Sequence, residues 1–144
     1  MILTINKKDY HIEYSIEASL YADCTEKLLN LMLTASENDG RKMITATAEV
    51  PSVALTMFYA GLLEHHGLYG DGSIKGMHDA KNLLKQYFAE NPKESYYTVL
   101  MKAIDQMGED GFFQMIGLDK MIEESQKAQT ETPDKAKSAA PGRK

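Results

Sequence analysis

Apolar side chains recur along this chain in two rhythms. At the start, Ile2-Leu3-Thr4-Ile5 and Tyr10-His11-Ile12-Glu13-Tyr14 flank the polar run Asn6-Lys7-Lys8-Asp9. Two β-prone segments around a polar turn predict a hairpin with Tyr10, Ile12 and Tyr14 on one side. A lone hairpin is marginal in water, so this one must pack on something else. From Ser15 the period lengthens to that of a helix. Ile16, Leu20, Cys24, Leu28, Leu31, Met32 and Ala35 follow it, with Ser15 as the N-cap and the turn cluster Asn38-Asp39-Gly40 as the stop. Met43 to Val50 fits two patterns: Ile44, Ala46, Ala48 and Val50 alternate like a strand, yet the same run fits a short helix before Pro51. Either way it serves as a connector.

Pro51 and Ser52 open the next predicted helix, since proline is tolerated in a first turn. It carries Leu55, Phe58, Tyr59, Leu62 and Leu63, which share one broad face, and it stops at Gly67. Gly67, Gly70, Gly72 and Gly76 make the following stretch a loop. Ile74, Met77, Leu84, Tyr87 and Phe88 give a third helix ended by Asn91-Pro92. Tyr96, Tyr97, Leu100, Met101, Ile104 and Met107 give a fourth, closed by Gly108. Phe112, Phe113, Ile116, Met121 and Ile122 give a short last helix with a break at Gly117. The predicted fold class is α+β, mostly α-helical: a short N-terminal β-hairpin on a bundle of about four to five helices. One domain is expected over residues 1–124. Residues 125–144 contain no Leu, Ile, Val, Met or aromatic residue and are expected to form a disordered basic tail or linker.

Charge divides the chain. The net charge is −5, but residues 125–144 carry +3 and the remainder −8. An acidic body disfavours nucleic-acid binding, which needs clustered Lys and Arg for phosphate contacts. No uninterrupted apolar run approaches the ~20 residues of a membrane span, and the N-terminus does not resemble a signal peptide. The single cysteine, Cys24, fits a reducing cytoplasm and a small buried side chain better than a nucleophile. Nine methionines are many for 144 residues. Met packs irregular cores and also lines surfaces that accept varied partners.

The candidate chemistry is thin. His65 and His66, with His78 and Asp79, lack a metal-binding spacing, and adjacent helical residues diverge by about 100°. A helix C-terminus capped by imidazole accounts for the pair, and no metal or cofactor is expected. Gly67–Gly72 is followed by Ser73 without the lysine of a P-loop, and Lys75 stands where a dinucleotide loop needs glycine. The carboxylate pairs Glu109/Asp110 and Glu123/Glu124 are sequential and in polar surroundings that do not separate their pKa values. The sequence predicts no enzyme.

Four consecutive aromatic pairs remain: Phe58-Tyr59, Tyr87-Phe88, Tyr96-Tyr97 and Phe112-Phe113. Adjacent aromatics on a helix span a wider arc than a small core fills, so at least one aromatic patch is expected to face a partner. Three segments, LTINKKDYHIEYSIEASLY, VPSVALTMFYAGLLEHHG and MGEDGFFQMIGL, resemble in content and order the tail assembly chaperones of long-tailed phages and prophages of Gram-positive bacteria. The resemblance covers about residues 1–122 and includes no catalytic signature.

It implies a non-enzymatic, ATP-independent protein of the host bacterial cytoplasm that is missing from the finished virion. Such a protein binds apolar segments of the tape measure protein, keeps it soluble and helps recruit tail tube subunits. Self-association stays open, and neither nucleic acid nor membrane is a partner. The residues expected to contact the partner are Phe58, Tyr59, Leu62, Leu63, Tyr96, Tyr97, Phe112 and Phe113, with core and partner roles undivided among them. In many of these phages a frameshift appends a second domain, for which the tail would serve as linker. Two rival functions are a structural virion protein of the head–tail connector type and a small acidic host-binding regulator.

Overall fold

The computed structural model describes residues 1–35, 40–118 and 120–127. Its chain order is β1 (Ile2–Ile5), β2 (Lys8–His11), α1 (Ile16–Leu20), α2 (Ala22–Ala35), α3 (Gly40–His66), α4 (Met77–Glu90), α5 (Tyr96–Glu109) and α6 (Phe112–Met115), with a further helical run at 120–127. The predicted α+β class with a hairpin on helices is what the chain forms. The chain divides into two compact units, Met1–Phe112 and Phe113–Lys144.

In the first unit the strands pair antiparallel, Ile2 opposite His11 and Ile5 opposite Lys8. That register leaves a two-residue turn in which Asn6 and Lys7 both adopt positive φ, 49° and 66°. Such a turn matches the twist of the flanking strands, and Asn tolerates the left-handed region well. The Asn6 N–H donates to both carboxylate oxygens of Glu90, at 2.9 and 3.0 Å, tying the turn to the end of α4.

Helix α3 is the hub. It packs against β2, α1, α2, α4 and α5. Val53, Ala54, Met57, Phe58, Ala60 and Leu62 are all buried, so its middle is covered on most sides. By length and apolarity Met43–His66 also qualifies as a membrane-crossing segment, but half of that window is buried inside this chain, as in a core helix. Ile12 and Tyr14 drop from the hairpin onto α3. The Tyr14 hydroxyl donates to the Met57 carbonyl at 2.7 Å, and the Glu13 N–H donates to the Gly61 carbonyl at 2.9 Å.

The structure departs from the sequence expectations in several places. The helix predicted from Ile16 to Ala35 is broken at Tyr21, whose ψ of 88° ends α1. Tyr21 instead sets its ring edge-on against Tyr59, with centroids 5.3 Å apart. The break shifts the phase, so Ala18, Cys24, Leu28 and Leu31 are buried while Ile16 and Leu20 are exposed. Ser15 precedes α1 as expected but makes no side-chain capping bond.

The ambiguous run from Met43 to Val50 is helical, and Pro51 lies inside α3 rather than at its start. Proline has no N–H, so the Thr47 carbonyl lacks its intrahelical donor there. Thr47 is exposed, and water can satisfy that carbonyl. Ile74 precedes α4, buried in the loop. The break at Asn91-Pro92 falls where the sequence places it, whereas α5 runs through Gly108 and ends at Glu109. Ser95 and Thr98 form a reciprocal capping box at the start of α5.

In the second unit, Gly117 adopts a φ of +79°, and its N–H closes a turn onto Gln114. Residues 120–127 form an exposed helix with Met121 and Ile122 on the surface. The predicted disordered tail is thus helical over 125–127, and its remainder lies outside the described residues.

Candidate functional site

Three helices of the first unit leave an apolar groove open. α2 and α5 each pack on α3, and the N-terminal third of α3 runs out between them. The groove has a volume of about 640 Å³, and its walls are Leu31 and Met32 from α2, Met43, Ala46, Thr47, Val50 and Pro51 from α3, and Ser95, Tyr96, Tyr97, Leu100, Met101 and Ile104 from α5. Among the described residues this lining contains no charged side chain. A shallower patch of Met43, Ile44, Thr47 and Ala48 continues it along α3.

Local chemistry explains why the groove stays open. The first turns of α3 present Met43 at 48% and Ile44 at 72% exposure, while Ala46 beside them is buried. On α5, the face carrying Val99, Leu100, Ala103 and Met107 packs inward, which leaves Tyr97 and Met101 on the outer edge. Tyr97 is 61% exposed, and Tyr96, at 41%, leans edge-on against Phe88 with centroids 5.1 Å apart. An open apolar surface of this extent, rimmed by flexible methionines, suits a partner's apolar segment.

The base of α5 is pinned by a polar network. Tyr87 donates to Glu94 Oε1 at 2.6 Å, and Lys102 Nζ bonds to both Glu94 and the Tyr87 hydroxyl. Bonds from Lys102, Thr98 and Tyr87 hold the Glu94 carboxyl down to about 2. The network spans from the end of α4 to the second turn of α5 and sets their relative position.

The eight residues expected to meet a partner fall into three groups. Phe58, Leu62 and Phe112 are core side chains of this chain, each at 2% exposure or less. Phe112 packs on the buried ring of Tyr14 with centroids 6.0 Å apart. Tyr59, Leu63 and Phe113 are half-buried. Tyr96 and Tyr97 alone of the eight are exposed, and both line the groove. Met32, Met43, Val50 and Met101 also line the groove and are not among the eight; the high methionine count signals three of them, but only the tertiary arrangement places these residues together.

A second cluster lies where the hairpin meets the end of α3. The rings of His11 and His65 stack at 4.0 Å, tilted by 2°. His65 Nε2 lies 3.0 Å from Glu13 Oε1, and His66 Nδ1 lies 2.9 Å from Asp71 Oδ2. The His11 N–H donates to His66 Nε2 at 2.9 Å. The two histidines thus bond to carboxylates and to the hairpin, a correction to their expected role as caps on helix carbonyls. Hydrogen bonds from Ser73, then from His66, hold the Asp71 carboxyl well below the usual range. Burial alone pushes the Cys24 thiol up to about 12, so it stays protonated and unreactive at neutral pH. Comparison with protein-family models, curated proteins and solved structures finds no match to this chain.

Proposed function

We propose that this chain is a non-enzymatic assembly chaperone of the phage tail type, acting in the host cytoplasm on apolar helical segments of a tape measure protein. The observation that carries the reading is the uncharged groove between α2, α3 and α5, with Tyr96, Tyr97, Met43 and Met101 on its walls. Burying apolar area yields ~25 cal/mol per Å², and association costs offset much of it. A groove of this size therefore holds a segment reversibly, which suits a chaperone displaced when tail tube subunits close around the cargo. Adaptable methionines accept varied sequences, as a long tape measure chain requires.

Co-expression with the tape measure protein of the same gene neighbourhood tests the reading. The expected outcome is a soluble complex from a partner that is insoluble alone, and its loss with Tyr97→Glu or Met101→Glu. A tape measure protein that remains insoluble, or soluble but unbound, overturns it. Recovery of the chain in purified virions instead favours the connector-type structural role.

A further inference from the structure

The histidine cluster at the hairpin–α3 junction stands apart from the chaperone reading and rests on its own geometry. His11 closes β2 and Glu13 follows two residues on; Ile12 between them is buried while both of these are half-buried, so His11 and Glu13 share the other side. That side faces the last turn of α3, where His65 sits. One ligating atom from each of His11, Glu13 and His65 lies within 4.8 Å of the others, and all three residues are half-buried. The stacked rings hold their in-plane nitrogen lone pairs parallel, so the His11 and His65 side chains must turn out of the stack to converge with Glu13 on the roughly 2.0–2.2 Å bonds that zinc makes with imidazole nitrogen and carboxylate oxygen.

We propose that His11, Glu13 and His65 form a binding site for a divalent transition-metal ion of the zinc class, which staples the hairpin to the C-terminal turn of α3. Two imidazoles and one carboxylate suit a borderline ion, with solvent completing the coordination at this partly open position. The surroundings prepare the ligands. His66, held by Asp71, accepts the His11 N–H and fixes the backbone from which the His11 ring projects. The ion takes the place of the hydrogen bond between His65 Nε2 and Glu13 Oε1. The reward is a link between segments 52 residues apart in sequence.

The full-length chain, stripped with a chelator and dialysed, is titrated with zinc chloride. Bound zinc is measured by equilibrium dialysis and stability by thermal melting. The expected result is one zinc per chain and a Tm raised by roughly 5 °C or more at a hundredfold excess over Kd. Glu13→Gln and His65→Gln should each weaken binding at least tenfold, on the order of the loss seen at other metal sites. Imidazole NMR resonances of His11 and His65 in the unmutated protein should shift together on adding zinc, a readout that needs no variant to fold. The proposal is overturned if the native chain takes up no zinc at about 100 μM. It is equally overturned if both variants bind as the native chain does, or if only His78 responds.

Discussion

A Cβ placed on Gly61 would lie 2.5 Å from Ile12 Cγ2 and 2.9 Å from Tyr14 Cζ, so the hairpin rests directly on the backbone of α3. Glycine at this position is what allows the approach. Gly61→Ala gains up to about 1 kcal/mol of helix propensity, but overpacking a filled core costs about 1–3 kcal/mol. Neither neighbour yields easily, because Ile12 is β-branched and Tyr14 is anchored through its hydroxyl to Met57. The expected outcome is a net loss on the order of 1 kcal/mol for Gly61→Ala and more for Gly61→Val, read from urea unfolding midpoints. Unchanged midpoints for both would show that the hairpin does not sit this close.

Core and groove residues should separate cleanly. Leu62→Ala removes a fully buried side chain and should cost about 2–5 kcal/mol. Tyr97→Ala touches an exposed position and should change stability by no more than about 0.5 kcal/mol while weakening partner capture. Denaturation and pull-down on the same two variants check both halves of this statement. If Tyr97→Ala unfolds the protein as Leu62→Ala does, α5 does not present that face to solvent.

Much of this architecture is legible in the sequence, and the parts that are not have physical causes. Tyr10, Ile12 and Tyr14 alternate, and Ser95 precedes an amphipathic run, so the hairpin and α5 follow from local pattern. Pro51 conceals the first third of α3, since proline signals a helix start more often than a helix interior. The break at Tyr21 leaves no mark on the apolar spacing. It is set by the contact with Tyr59, far along the chain. The aromatic pairs misdirect because chemistry alone does not distinguish Phe58, sealed beneath the hairpin, from Tyr97, which faces water. The groove and the histidine cluster each join residues from distant segments, and no local window contains them.

The Glu94–Lys102–Tyr87 network makes a pH prediction with a definite sign. The folded-state pKa of Glu94 lies near 2 against 4.5 for an unperturbed carboxyl, so the unfolded chain binds more protons between these values. Its stabilisation is therefore complete above about pH 5 and declines as pH falls toward 2. Lys102 is 45% exposed and solvent screens the pair, so the term is on the order of 1 kcal/mol. Lys102→Met should flatten the acid limb of the stability–pH curve relative to the native chain. Parallel curves for the two proteins would assign the acid sensitivity to other carboxylates.

His11 titrates in the opposite charge sense but pushes stability in the same direction. Its folded-state pKa is lowered from 6.5 by burial first and by His65 second, so folding disfavours its protonation. That contribution is present in full above the unfolded value and is lost as pH falls through 6.5 toward the depressed one. Replacing His11 by glutamine should remove this slope while leaving the acid limb from Glu94 in place. Thermal melts at closely spaced pH values around 6 resolve the two, and a native chain with a flat profile there contradicts the lowered His11 pKa.

Pro51 supplies the sharpest test of the long α3. If residues 40–50 continue the helix, Pro51→Ala restores an N–H to pair with the Thr47 carbonyl and relieves the clash of the proline ring with the preceding turn. The native helix has already adjusted to proline, and proline also restricts the unfolded chain by about 0.4–1 kcal/mol, which the variant forfeits. The gain should nonetheless win by about 1 kcal/mol, because the interior helix penalty of proline approaches 3 kcal/mol. Amide exchange at residue 51 should be protected in the variant, and far-UV helicity should not fall. A helix that truly begins at Pro51 behaves the other way. There the proline occupies a favoured first-turn position, so its replacement lowers stability and the new amide exchanges freely.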